Sequence, residues 1–280
     1  WSYIPESNLW TWEAGYDSFQ FVNTSLADIN FLKSKNYYGG ASPTWVDSLG
    51  NAWYLHENYI VRFDIQSKTL EVMRYHNSAV NYGVQGVASA STWPGLKVRS
   101  LTWSMGRYAY IFGGVNTNDL WKFDMESLQW TWLGSTGNRP ASFGSKGVAS
   151  AANWPPGSDY TFSQWSKYPK LYLYGGYNLF TFKFYGDLWE YDVTTGLWTW
   201  LQGPGSDTLA SHPGVYPGTT CKDTLGIYPS ARRVRNLVKT SVCNNSFWLY
   251  GGWDNTFGYL GDVWLYRPNV NQWMWIRDRP

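Results

Sequence analysis

Apolar and polar positions along the chain fall into short runs, and none sustains the spacing of a helical face. The runs are aromatic and β-branched and are bounded by Gly, Asn, Asp and Pro, which predicts β-strands separated by tight turns. Ser100-Leu101-Thr102-Trp103 reads as one strand and Tyr110-Ile111-Phe112-Gly113-Gly114 as the next. Asp119-Leu120-Trp121-Lys122-Phe123-Asp124 reads as a third, and Trp130-Thr131-Trp132 marks a fourth. Asp124-Met125-Glu126-Ser127 and Asp192-Val193-Thr194-Thr195-Gly196 have the residues of hairpin turns, since an Asp side chain can bond the backbone two residues on.

This four-strand pattern recurs. Asp119-Leu120-Trp121-Lys122-Phe123-Asp124 aligns with Asp187-Leu188-Trp189-Glu190-Tyr191-Asp192 and with Asp262-Val263-Trp264-Leu265-Tyr266-Arg267. A tryptophan follows each, at Trp130, Trp198 and Trp273, and a second at Trp132, Trp200 and Trp275. An apolar run ending in a glycine pair precedes each, at Gly113-Gly114, Gly175-Gly176 and Gly251-Gly252. Tyr59-Ile60-Val61-Arg62-Phe63-Asp64 is a degenerate copy in which Leu70 and Val72 take the tryptophan places and His56-Glu57 the glycine places. Trp1-Ser2-Tyr3-Ile4, with Trp10 and Trp12, fits the end of a further unit. The connectors repeat as well: Gly83-Val84-Gln85-Gly86-Val87-Ala88-Ser89-Ala90 and Gly144-Ser145-Lys146-Gly147-Val148-Ala149-Ser150-Ala151 both lead to Trp-Pro. Four-stranded units at this period are what a β-propeller blade requires, with the tryptophans filling the wedges between blades.

Gly-Gly, then Asp-Leu-Trp-x-Tyr/Phe-Asp, then Trp six residues on, resembles the kelch repeat, and the long unit with its Gly-Val-Ala-Ser-Ala connector resembles the large kelch proteins of microbes and protists. The resemblance runs from Trp1 to about Ile276 and implies an all-β, kelch-type β-propeller. Four full four-stranded blades are expected at about 37–77, 95–137, 157–205 and 228–277, with part of a fifth at 1–15. That strand count leaves a ring open, so the chain reads as a segment of a larger propeller or chain, or as one whose open blade a partner completes. Propellers of this kind serve as scaffolds and binding modules and, rarely, as enzymes, so the fold alone does not name a function.

Composition narrows the classes. Aromatic residues make up 20% of the 280 positions and charged residues 15%, and 22 Lys+Arg against 20 Asp+Glu leave a net charge of +2. A binder of nucleic acid needs a basic face, which this balance does not supply. No apolar run reaches the length of a membrane-spanning helix. Asn23 and Asn244 stand in Asn-x-Ser sequons and are candidate N-glycosylation sites, and Cys221 and Cys243 are a candidate disulfide. Together these predict an extracellular or cell-surface protein of the secretory pathway.

Candidate chemistry is sparse. Galactose-oxidase-like copper enzymes share this propeller and would need paired histidines, but His56, His76 and His212 lie in different parts of different units. No nucleophile elbow, zinc-protease helix or phosphate loop is present. Asp119, Asp187 and Asp262 hold one repeat position and are read as structural, bonding the backbone of the turn after the glycine pair. Arg232-Arg233-Val234-Arg235 matches Lys97 and Arg99 of an earlier unit and is read as salt-bridging rather than anion-binding. No cofactor, metal or catalytic residue is expected. The remaining candidates are aromatic insertions between a glycine pair and the next Asp-x-Trp: Tyr177, Phe180, Phe182, Phe184 and Tyr185, and Trp253, Phe257 and Tyr259. Val115 to Asn118 shows how short that loop can be. Such rings suit a protein partner or self-association, stacking on glycans, or packing on one another. The expected function is a non-enzymatic structural or protein-protein interaction module, with a carbohydrate-binding propeller as the alternative and an oxidase-like enzyme behind it.

Overall fold

The computed structural model describes residues 2–4, 9–11, 21–22, 42–56, 58–77, 79–114, 117–137, 139–158, 163–206, 212–222, 224–234, 240–241 and 246–277. The elements are nearly all strands. β1 (Ser2–Ile4) and β2 (Leu9–Thr11) pair antiparallel. β3 (Phe21–Val22), β4 (Thr44–Val46), β5 (Ala52–His56), β6 (Tyr59–Asp64) and β7 (Thr69–Tyr75) form the first sheet, in the order β3-β7-β6-β5-β4. β8 (Ala88–Ser89), β9 (Leu101–Met105), β10 (Tyr108–Gly114), β11 (Thr117–Asp124) and β12 (Gln129–Gly134) form the second, in the order β8-β12-β11-β10-β9.

The third sheet is β13 (Ser163–Lys167), β14 (Lys170–Tyr174), β17 (Leu188–Asp192) and β18 (Leu197–Gln202). A separate hairpin of β15 (Tyr177–Asn178) and β16 (Lys183–Phe184) is inserted between β14 and β17. The fourth sheet is β19 (Thr240–Ser241), β20 (Ser246–Asp254), β21 (Gly258–Arg267) and β22 (Gln272–Arg277).

The hairpins joining third to fourth strands explain the repeated aspartates. Asp64 Oδ1 accepts from the Gln66 and Ser67 amides at 3.0 and 2.9 Å. Asp124 Oδ1 accepts from Glu126 at 3.0 Å, and Asp192 Oδ1 from Thr194 at 2.8 Å. Each turn then closes on a left-handed residue: Lys68 (φ 60°), Leu128 (φ 56°) and Gly196 (φ 71°), with Asn271 (φ 49°) in the fourth sheet. Beyond the turn, all four hairpins shift register at the same place, between Ile60/Val61, Leu120/Trp121, Leu188/Trp189 and Val263/Trp264. A bulge repeated in this way adds twist to each sheet.

The core lies between sheets. Trp45, Trp53 and Ile60 of the first sheet pack with Ile111, Trp121, Phe123 and Trp130 of the second. Leu101, Trp103 and Phe112 pack with Leu171, Leu173, Trp189 and Trp198, and Trp165, Tyr172 and Tyr174 pack with Phe247, Leu249, Trp264 and Trp273. Trp130, Trp198 and Trp273 are all buried, as the repeat pattern predicted.

The connectors do more than link. β8 pairs with β12, and the Gly86 amide donates to the Trp132 carbonyl at 2.8 Å. The same bond recurs from Gly147 to Trp200 and from Cys221 to Trp275, each at 2.8 Å. Each connector thus lies along the outermost strand of the blade it is about to enter, an extra edge that the sequence reading did not include. Cys221 takes a place held by glycine elsewhere, with φ 57°. It carries a free, exposed thiol whose Sγ lies 3.5 Å from the Ile276 carbonyl, rather than the expected bridge. Cys243 lies outside the described residues, as do Asn23 and Asn244.

Candidate functional site

Neighbouring strands alternate in direction, so second-to-third loops and the connectors to the next blade emerge on one face of the sheets. The glycine pairs, the aspartates that follow them and the aromatic insertions lie there. At its root are the glycine pairs, all with positive φ, such as Gly175 (φ 79°) and Gly252 (φ 119°). A Cβ on Gly175 would come within 2.7 Å of the Arg232 carbonyl oxygen, and one on Gly252 within 2.9 Å of the Arg233 carbonyl. The glycines therefore let the first-strand segment of a blade run against the loop root.

Beneath this face sit the repeated aspartates, which are fully buried. Lys97 Nζ donates to both oxygens of Asp119 at 2.7 and 2.6 Å, and Trp121 Nε1 donates to Oδ2 at 2.7 Å. Arg232 repeats the arrangement bidentately on Asp262 at 2.6 and 2.7 Å, with Trp264 Nε1 at 2.7 Å and the Tyr216 hydroxyl also donating. The partners are thus cations and indoles rather than the turn backbone that the sequence suggested. Burial opposes charge on Asp262, but its bonds to Arg232 outweigh that and hold its carboxyl below the usual range.

The third blade differs. Lys97 and Arg232 each lie four residues after Trp93 or Tyr228, and the residue four after Trp154 is Ser158. Asp187 consequently has no cation at hydrogen-bond distance among the described residues. It accepts from Trp200 Nε1 at 3.0 Å and the Gly205 amide at 2.8 Å through Oδ1, while Oδ2 and Trp189 Nε1 are buried without partners among the described residues. Burial pushes the Asp187 carboxyl up to about 7.

The aromatic insertions divide into roots and tips. Tyr177, Phe184 and Tyr185 are buried, and Trp253 is half-buried. Phe184 contacts Tyr177 and Trp253 at ring separations of 4.5 and 5.2 Å, so the roots pack the two hairpins together. The tips project: Phe180 is 61% exposed, Phe182 68%, Phe257 48% and Tyr259 89%. Phe182 is held at φ 56°, and Asn178 Oδ1 accepts from the Phe180 and Thr181 amides at 3.0 and 2.9 Å, which fixes the turn. Between the roots lies Arg233, its guanidinium 4.5 Å from the Trp253 ring and 5.5 Å from that of Tyr177. Arg232 and Arg233, adjacent in sequence, thus have different surroundings, and Arg235 lies outside the described residues.

Where the corresponding loops are short, between the first two sheets, the same face holds a cleft of about 570 Å³. Asn58, Asn77, Tyr82, Leu96, Lys97 and Thr117 contribute to its wall. Thr117 Oγ1 is buried there without a hydrogen-bond partner among the described residues. Nothing in the sequence pattern marks this cleft, because its residues come from separate segments of the chain. The histidines do not converge: His56 is buried in β5, His76 stacks on Trp93 at 5.0 Å, and His212 faces the Tyr228 hydroxyl at 3.3 Å. Among the described residues no group of three or more His, Cys, Asp or Glu could hold a metal, and no helix is long and apolar enough to cross a membrane.

No protein-family model matches the chain, and no curated protein does. Among solved structures, that of YjhT matches with a TM-score of 0.50 at 14% identity, covering 85% of this chain. The chain has a β-propeller fold. The match spans 65% of the YjhT chain, and at 14% identity the likeness extends to the fold alone.

Proposed function

We propose that the chain is a non-enzymatic interaction module that binds another protein, or a second copy of itself, through the face carrying the two aromatic hairpins. The observation that supports this reading is the contrast between roots and tips. The roots of both hairpins are packed rigidly, whereas Phe180, Phe182, Phe257 and Tyr259 stand exposed above them. Large apolar rings on a preorganised support lose little conformational freedom on binding, and aromatic residues are enriched where interfaces carry their energy. Replacing 179–182 by a two-residue Asn-Gly turn removes one tip and leaves the Tyr177–Phe184 pair to close the hairpin. The variant is expected to keep the parent's thermal midpoint within about 3 °C, as surface changes do. It is also expected to lose association in analytical ultracentrifugation or partner pulldown. A variant that associates as the parent does would remove the reading.

A second reading is favoured by the cleft between the first two sheets. Asn58, Asn77, Tyr82 and Thr117 offer neutral donors and acceptors beside an aromatic ring, the chemistry that suits a sugar's hydroxyls. Glycan binding that survives loss of the hairpin tip and disappears in Asn77→Ala would support it.

A further inference from the structure

We infer that the hairpin face recognises a carboxylate, and that Arg233 is the residue that reads it: the partner is a protein segment that places an Asp or Glu side chain among apolar residues. The inference rests on the association reading and names the partner's chemistry. Arg233 differs from the ion-paired basic residues of the described sheets. Arg232 and Lys97 are buried against Asp262 and Asp119. Arg62 is paired with Glu71, Arg107 with Asp124 and Glu126, and Lys170 with Glu190 and Asp192. Among the described residues, no carboxylate or carbonyl accepts from the Arg233 guanidinium. Its contacts are the flanking Trp253 and Tyr177 rings.

That arrangement is preorganised for an anion. A guanidinium held between aromatic rings keeps its N–H edge free while the rings fix its plane, and Arg in this state needs little reordering to form a two-pronged bond to a carboxylate. The backbone fixes the stem as well: the Arg233 amide donates to the Trp253 carbonyl at 3.0 Å, and the Trp253 amide returns the bond to Arg233 at 2.9 Å. Partial burial lowers the local dielectric, so a pair formed here is stronger than one in water. Around the charge, the exposed rings of Phe180, Phe182, Phe257 and Tyr259 call for apolar side chains. Charge complementarity thus specifies an acidic residue flanked by aromatic or aliphatic ones.

The experiment selects a phage-displayed library of random linear peptides on the full chain and measures synthetic consensus peptides by isothermal titration calorimetry. Sequences with Asp or Glu beside Phe, Tyr, Leu or Ile are expected. Changing that acid to its amide should weaken binding about tenfold or more on the parent chain, the scale of a charge-assisted bond. The same change should have almost no effect on Arg233→Met, which keeps an apolar stem between the rings; Arg233→Lys should fall between the two. A peptide acid-to-amide change needs no protein variant, so the inference is testable even if Arg233→Met folds poorly. A consensus without an acid, or an acid-to-amide loss that persists undiminished in Arg233→Met, would overturn the carboxylate inference and leave the association reading standing. Recovery of no peptide whose binding depends on Phe180 and Phe257 would overturn both. Arg233-dependent binding to sialylated or sulfated glycans, with no peptide recovered, would assign the anion to a glycan and overturn the inference.

Discussion

Asp187 shows what one missing cation does to a buried carboxyl. In the second and fourth sheets the equivalent aspartates are neutralised by Lys97 and Arg232, but Ser158 stands at that place in the third. The contrast is visible in the sequence once Trp93-Pro94, Trp154-Pro155 and Tyr228-Pro229 are set in register, but only the ion pairs show why the register matters. With its carboxyl pushed from 3.8 up to about 7, Asp187 holds its proton in the folded chain over a range in which the unfolded chain has lost it. Stability due to this group is therefore greatest below about pH 4, falls as pH rises to about 7, and is flat above. The linked loss is about 4 kcal/mol. Asp187→Asn keeps an acceptor for Trp200 and Gly205 and removes the titration. Denaturant melts from pH 4 to 8 should show the parent weakening relative to the variant across that window. Ser158→Lys should flatten the parent's slope in the same way by restoring a cation. A parent and Asp187→Asn with parallel pH profiles would show that the carboxyl is satisfied in some other manner.

At the scale of elements, the strands were readable because each carries its own boundary signals. The Asp at the end of a third strand, the aromatic pair of the fourth and the glycine pair of the second are local chemistry, and local chemistry survives in a single sequence. The repeated bulge was also within reach, since Leu133, Leu201 and Ile276 follow the tryptophan pair, and Met73 the Leu70 and Val72 that replace it, at the same offset. The edge pairing of the connectors was not, because two residues of Ala-Ser carry no strand signal of their own and pair only when a neighbouring edge is presented to them. For the same reason, the sequence could place eight aromatic residues in two insertions but not divide them into packed roots and free tips. The turn chemistry gives an element-scale prediction. Gly196 and Lys68 fill equivalent left-handed positions, and only glycine does so without a Cβ penalty. Lys68→Gly should raise stability by about 1 kcal/mol in urea melts, whereas Gly196→Lys should lower it by a similar amount. Equal midpoints for all three proteins would mean that the turn conformation adapts to its residue.

At the scale of the molecule, much of the stability resides between blades, because the three large aromatic clusters each draw their members from two adjacent sheets. Trp198 illustrates this. It lies on the outermost strand of the third sheet, yet its ring meets Phe112 of the second sheet at 5.4 Å and Trp154 of the connector at 6.2 Å, as well as Tyr191 of its own sheet at 5.0 Å. Trp248 is on β20 of the fourth sheet, where the burial alternation turns it outward and leaves it 36% exposed. Both residues are tryptophans in strands, so composition and secondary structure predict equal importance, while the packing predicts a large difference. Trp198→Ala removes a fully buried ring and leaves a cavity shared by two blades, a loss of about 3–5 kcal/mol. Trp248→Ala should cost about 0.5 kcal/mol or less, as surface changes generally do. The loss at Trp198 should also spread. Amide exchange is expected to accelerate in β10 and β11 as well as in β17 and β18, because opening the wedge frees both walls. Acceleration confined to the third sheet would show that blades are stable singly and that the aromatic wedges add little to the cohesion of the whole.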